Sequence, residues 1–134
     1  MFVVQATDGF RRWISGAFHS RSAVDMYLSQ IPKKQRSKQS IIDLAGLTYP
    51  LYICEDEKGF HFLTEVEVIT ALKHYTNDLR HDDEDWCYTN LYRIVGNWQP
   101  KLPGTDYMGS LPHYHVTNST LEKVEQYGFE SLWQ

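Results

Sequence analysis

Two turn signals, each set between apolar runs, constrain this chain more than any other feature. Phe2-Val3-Val4-Gln5 reads as a strand and Thr7-Asp8-Gly9 as a tight turn. Phe10 to Phe18 reads as the returning strand, with Gly16 marking a bulge or a close backbone approach. Tyr49 to Glu55, the turn Asp56-Glu57-Lys58-Gly59 and the run Phe60-His61-Phe62-Leu63 repeat the arrangement. Strands joined by turns this short can pair only antiparallel, which excludes a parallel Rossmann-type sheet.

Each hairpin runs into a helix. Ser20 or Ser22 can cap the first, where Val24, Tyr27, Leu28 and Ile31 keep helical spacing and Pro32 ends it. Thr64-Glu65-Val66-Glu67 is a capping box ahead of Val68, Leu72, Tyr75 and Leu79, which predicts a helix over about 65–79. Residues 33–40 hold no apolar side chain and read as an exposed basic loop. Ile41, Ile42, Leu44 and Leu47 form a short apolar cluster, and residues 80–85 read as an acidic loop. Trp86 to Trp98 reads as a strand, and Pro100, Pro103 and Gly104 as a loop. His113 to Thr117 reads as a last strand. A second capping box, Ser119-Thr120-Leu121-Glu122, opens a helix through Tyr127 that ends at Gly128. Phe129, Leu132 and Trp133 are expected to fold back on the core. The expected architecture is α+β: a single domain over 1–134, one antiparallel sheet built from hairpins, and about three helices mainly on one face.

At 134 residues the chain can bury a core without a disulfide or a metal. No apolar run approaches the ~20 residues of a membrane helix. The opening segment lacks the basic and apolar regions of a secretory signal, so a cytoplasmic chain is expected. Cys54 and Cys87 are spaced as neither a metal pair nor a redox pair and are expected as reduced thiols. The charge is divided unevenly. Residues 1–38 carry seven Lys or Arg against two Asp, a net of +5, and residues 39–134 carry a net of −9. That asymmetry points to charged partners.

Few residue sets could carry chemistry. His113 and His115, two apart on a strand, share a face, and Asp106 or His81 could complete a metal set or a His-dependent active site. His81-Asp82-Asp83-Glu84-Asp85 lacks the spacing and the glycine of a calcium loop and reads as a solvated acidic surface. Lys33, Lys34, Arg36 and Lys38 have no interleaved aromatics in an acidic chain, which argues against a nucleic-acid reader. No glycine-rich phosphate loop, nucleophile elbow or cofactor signature occurs, and no cofactor is expected. Trp86, Trp98 and Tyr107 flank acidic or Pro/Gly loops, where exposed aromatics beside carboxylates make binding hot spots. The expected partner-binding set is therefore Asp82, Asp83, Glu84, Asp85, Trp86, Trp98 and Tyr107.

In size, acidity, aromatic content and the Asp82–Asp85 run, the chain resembles the small immunity proteins of bacterial toxin–immunity pairs. That resemblance implies a cytoplasmic protein, not an enzyme, that binds a cognate protein toxin such as a nuclease. It would block the toxin's active site or substrate access, with carboxylates standing in for phosphates. The other readings are the His113/His115 enzyme and a structural or adaptor module of a phage or secretion system.

Overall fold

A computed structural model describes residues 1–81, 90–117 and 119–133. The chain is α+β with two antiparallel sheets rather than the one expected from the sequence. It divides into two compact units, Met1–Tyr49 with Ile94–Leu111, and Pro50–Arg93 with Pro112–Gln134. No described helix is long and apolar enough to cross a membrane.

The first unit holds strands β1 (Phe2–Asp8), β2 (Arg11–Phe18) and β3 (Gln39–Asp43), in the order β2-β1-β3. The first predicted hairpin forms, but Phe10 belongs to its turn, not to the returning strand, because Asp8 pairs with Arg11. Gly16 sits beside a bulge. Val4 pairs with Gly16 and Gln5 with Ile14, so Ser15 is the extra residue. The glycine is needed there because a Cβ would lie 2.6 Å from the Phe18 ring and 3.2 Å from that of Tyr27. The cluster of Ile41 and Ile42 is strand β3, recruited to the free side of β1.

Helix α1 (Arg21–Gln30) is capped by Ser20, whose hydroxyl accepts from the Ala23 N–H at 3.2 Å. It buries Val24 and Tyr27 against Val4 and Phe18, with Ile31 closing the cluster. The basic stretch after Pro32 is not all loop. Lys33–Arg36 is one helical turn, α2, and Gln39 already belongs to β3. Arg36 folds back and donates to the Ile31 and Ser29 carbonyls, so its charge meets the negative end of α1.

The second unit holds β4 (Leu51–Asp56), β5 (Gly59–Leu63), β6 (Asn90–Ile94) and β7 (His113–His115), in the order β5-β4-β6-β7. The second predicted hairpin forms as read. The Asp56 carboxylate accepts from the N–H groups of Lys58 and Gly59 at 2.8 and 3.0 Å, which sets the turn. Helix α3 (Glu65–His81) starts with the expected capping box. The Thr64 N–H donates to Glu67, and the Glu67 N–H donates to the Thr64 hydroxyl. Helix α4 (Thr120–Tyr127) does not use its predicted box, since Ser119 makes no capping bond. The Thr120 hydroxyl instead accepts from the Thr117 N–H at 2.7 Å.

Val68 and Leu72 of α3, Val124 of α4, and Phe129 and Leu132 of the last turn pack on one face of the sheet, over Tyr52, Cys54 and Leu91. The C-terminal aromatics fold onto this core as expected, with Phe129 edge-on to Tyr52 at 5.0 Å. The strand predicted over Trp86–Trp98 is shorter at its end. It stops at Ile94, Val95 is exposed, and Trp98 makes one bridge to Ala17. The last strand stops at His115 rather than Thr117.

Candidate functional site

Asp82, Asp83, Glu84, Asp85 and Trp86, five of the seven residues expected at an interface, lie outside the described residues, as does Cys87. Trp98 is half-buried. Its backbone is zipped to Ala17 by bonds of 2.9 and 3.0 Å at the sheet edge. Tyr107 is exposed, and it stands beside a site that the first unit builds around Asp106.

That site begins at the β1–β2 turn. Gly9 takes φ 64°, and positive φ is confined to glycines among the described residues. Gly-X with glycine in the left-handed region is the turn whose twist matches a right-twisted hairpin. Position X is Phe10, and the turn leaves its ring wholly in solvent. Arg11 and Trp13, two apart on β2, share a face. The Arg11 guanidinium lies over the Trp13 ring at 5.5 Å and donates to Asp106 at 2.9 Å. Across the hairpin, Asp8 pairs with Lys38 at 3.2 Å.

The loop that carries Asp106 is fixed by Gly104. The Tyr27 hydroxyl accepts from the Gly104 N–H at 2.8 Å and donates to the Ser15 carbonyl at 2.5 Å. The Trp13 indole N–H donates to the Gly104 carbonyl at 3.2 Å. Burial outweighs these bonds and raises the Tyr27 pKa, so the phenol stays protonated and can keep donating. Gly104 has φ 86°, and a Cβ there would meet Ile31 at 3.1 Å and Gln35 at 3.2 Å. Only glycine fits both the conformation and the space.

Asp8, Arg11, Trp13, Gln35, Lys38, Gln39, Gly104, Thr105 and Asp106 thus enclose a cleft of about 320 Å³. Phe10 adjoins its Arg11, and Tyr107 adjoins its Asp106. Both of these rings are exposed.

The second unit carries a polar array on the sheet face opposite its core. Glu55 accepts from the Tyr92 hydroxyl at 3.2 Å and from the Asn90 amide at 3.3 Å, and Asn90 meets His115 at 3.4 Å. His113 pairs with Tyr92 in register, their rings 5.5 Å apart, and His115 pairs with Asn90. The two histidines do share one face, as the spacing predicted. Asp106, proposed with them as a ligand, belongs to the first unit and is engaged by Arg11 and by the Met108 N–H. The His81 side chain lies outside the described part of α3. Among the described residues no group of three His, Cys, Asp or Glu is placed to hold a metal ion.

Cys54 is a free thiol buried in the second core. Burial, with Asp56 nearby, pushes its pKa up to about 12, which makes it inert rather than nucleophilic.

Sequence reasoning missed the cleft because its walls come from three separated stretches of the chain. The local signal was Gly-Phe at a hairpin tip, where an aromatic has no folding reason to be. Compared with known protein families, with curated proteins and with solved structures, the chain matches none.

Proposed function

We propose that this chain is a cytoplasmic binding protein that neutralises a cognate bacterial toxin by covering its active site or substrate-binding surface. One observation carries the choice of a binding role: Phe10 and Tyr107, next in the chain to the ion-paired Arg11 and Asp106 of a preformed cleft, are both exposed. Aromatics and arginine beside a pocket are the residues that dominate interface energetics. A ring held in water by a rigid two-residue turn costs little further entropy to bury, and burying it returns about 2–3 kcal/mol.

The test is capture from a native lysate with the intact chain and with Phe10→Ser, a change at a solvent-exposed tip. The reading expects one captured protein that is lost with the variant, arrests growth when expressed alone, and is silenced by co-expression of this chain. Equal capture by both baits, or a captured protein without toxicity, overturns it.

The Glu55–Tyr92–Asn90–His115 array favours a second reading, acid–base catalysis with His113 and His115. It expects a hydrolytic activity, on RNA for instance, that His115→Ala abolishes without loss of fold.

A further inference from the structure

We propose that the outer edge of β5, with the apolar groove that meets it at Leu63, binds an extended basic segment of a partner protein as an added strand. β5 ends the order β5-β4-β6-β7, so among the described residues one of its sides has no strand beside it. Asp56 and Gly59 flank a two-residue turn and pair directly, which makes theirs a hydrogen-bonded pair. Such pairs alternate along an antiparallel ladder, so His61 and Leu63 also turn their N–H and C=O groups to β4. Phe60 and Phe62 turn theirs outward, at the spacing of a further strand.

That edge is unguarded. Sheets commonly protect an edge with lysine, proline, a bulge or brevity. β5 has no lysine or proline, and its register with β4 runs without a shift. The other described edges differ. β7 is three residues long, β2 is bridged by Trp98 at Ala17, and β3 carries polar or charged residues at Gln39, Ser40 and Asp43.

The groove supplies the side-chain site. Leu63, Val66, Glu67, Thr70, Ala71 and His74 line about 530 Å³, within the range of ligand sites. Leu63 packs with the second core, on the sheet side that α3 covers. A strand laid along Phe60 and Phe62 and continued past Leu63 therefore reaches the groove, and its alternate side chains enter it. Val66, the apolar wall in the first turn of α3, is 81% exposed.

Charge selects the kind of partner. From Glu55 to Glu67 the chain holds five Asp or Glu against one Lys, a net of −4 with the histidine neutral. The second unit holds thirteen Asp or Glu against five Lys or Arg, a net of −8. A second copy pairing β5 with β5 would bring two such units edge to edge against their repulsion. An extended segment bearing lysine or arginine gains from the same field. The toxin-binding reading rests on residues of the first unit, so this edge binds its strand whether or not that reading holds.

The test is selection of displayed random peptides on the intact chain. Synthetic copies of the enriched peptides are then measured by calorimetry and amide hydrogen exchange. In the free chain the Phe60 and Phe62 amides should exchange fast and those of His61 and Leu63 slowly. We expect enriched peptides that alternate apolar residues and carry Lys or Arg. They should bind with Kd of about 10–100 μM and slow exchange at Phe60 and Phe62. Replacing their Lys and Arg by Glu should weaken binding at least about tenfold. Val66→Asp in the protein should do the same, because it puts a charge in the groove while suiting the first turn of α3. The proposal is overturned by no enriched peptide, by peptides that are acidic or do not alternate, by unchanged exchange at Phe60 and Phe62, or by unchanged binding in Val66→Asp. A free chain that sediments as a dimer with Phe60 and Phe62 already protected also overturns it, because a second copy then holds the edge.

Discussion

Replacing Tyr27 by Phe removes one oxygen and keeps the ring, which packs 5.0 Å from Phe18. That oxygen joins two backbone groups distant in sequence: it accepts from the Gly104 N–H at 2.8 Å and donates to the Ser15 carbonyl at 2.5 Å. Tyr27 is 1% exposed, so water does not reach the gap freely. Each buried backbone group left without this partner costs about 1–3 kcal/mol, partly recovered by local relaxation. The expected loss is about 2–3 kcal/mol, or roughly 6–12 °C in Tm for a chain of this length. Urea unfolding gives the first number. Amide hydrogen exchange gives a sharper one, because protection of Gly104 should fall more than that of the β1–β3 ladder. The same variant should weaken partner capture, since the loop that presents Asp106 and Tyr107 loses its anchor. A loss below about 0.5 kcal/mol with Gly104 still protected would refute the view that this phenol holds the loop.

Other consequences are independent of that one. Gly104→Ala should cost about 1–3 kcal/mol, through its positive φ and its contact with Ile31, read by urea unfolding. Burial of Asp56 raises its pKa, but the Lys58 and Gly59 N–H groups and His61 outweigh this and hold the carboxyl below its ordinary value. Its contribution is therefore present above about pH 4 and lost as pH falls through the lowered pKa. Asp56→Ala should cost about 1–2 kcal/mol at pH 7 and flatten the acid limb of a stability–pH curve. With Cys54 pushed up to about 12 from an ordinary 9.0, the unfolded chain releases this proton first, and stability falls as pH rises between those values. At pH 8, iodoacetamide mapping should find Cys54 unlabelled in the folded protein and labelled in urea. Thr64→Ala removes the capping box and should cost about 1 kcal/mol, measured by urea unfolding.

What the sequence alone determined was local. Asp8-Gly9 and Asp56 to Gly59 made hairpins, Ser20 and the Thr64–Glu67 box opened helices, and Pro32 ended one. These signals act within about four residues, so chain chemistry alone reads them out. The α+β class follows, because hairpins alternating with helices leave antiparallel pairing as the outcome. The pairing of His113 and His115 on one face was equally legible, since a strand has a period of two.

The tertiary structure decided which strands share a sheet, and with that the site. Ile41 and Ile42 carry no mark saying that they add to β1 rather than to β4. Nothing near Asp106 announces Arg11 as its partner, 95 positions away. Such contacts depend on which apolar faces find one another after the hairpins form, a long-range choice made by packing and not by local propensity. Trp98 shows the limit from the other side: nothing near it in sequence announces that its backbone completes the edge of β2 at Ala17. Phe10 shows the gain, because only the folded hairpin reveals a large apolar ring with no core to enter.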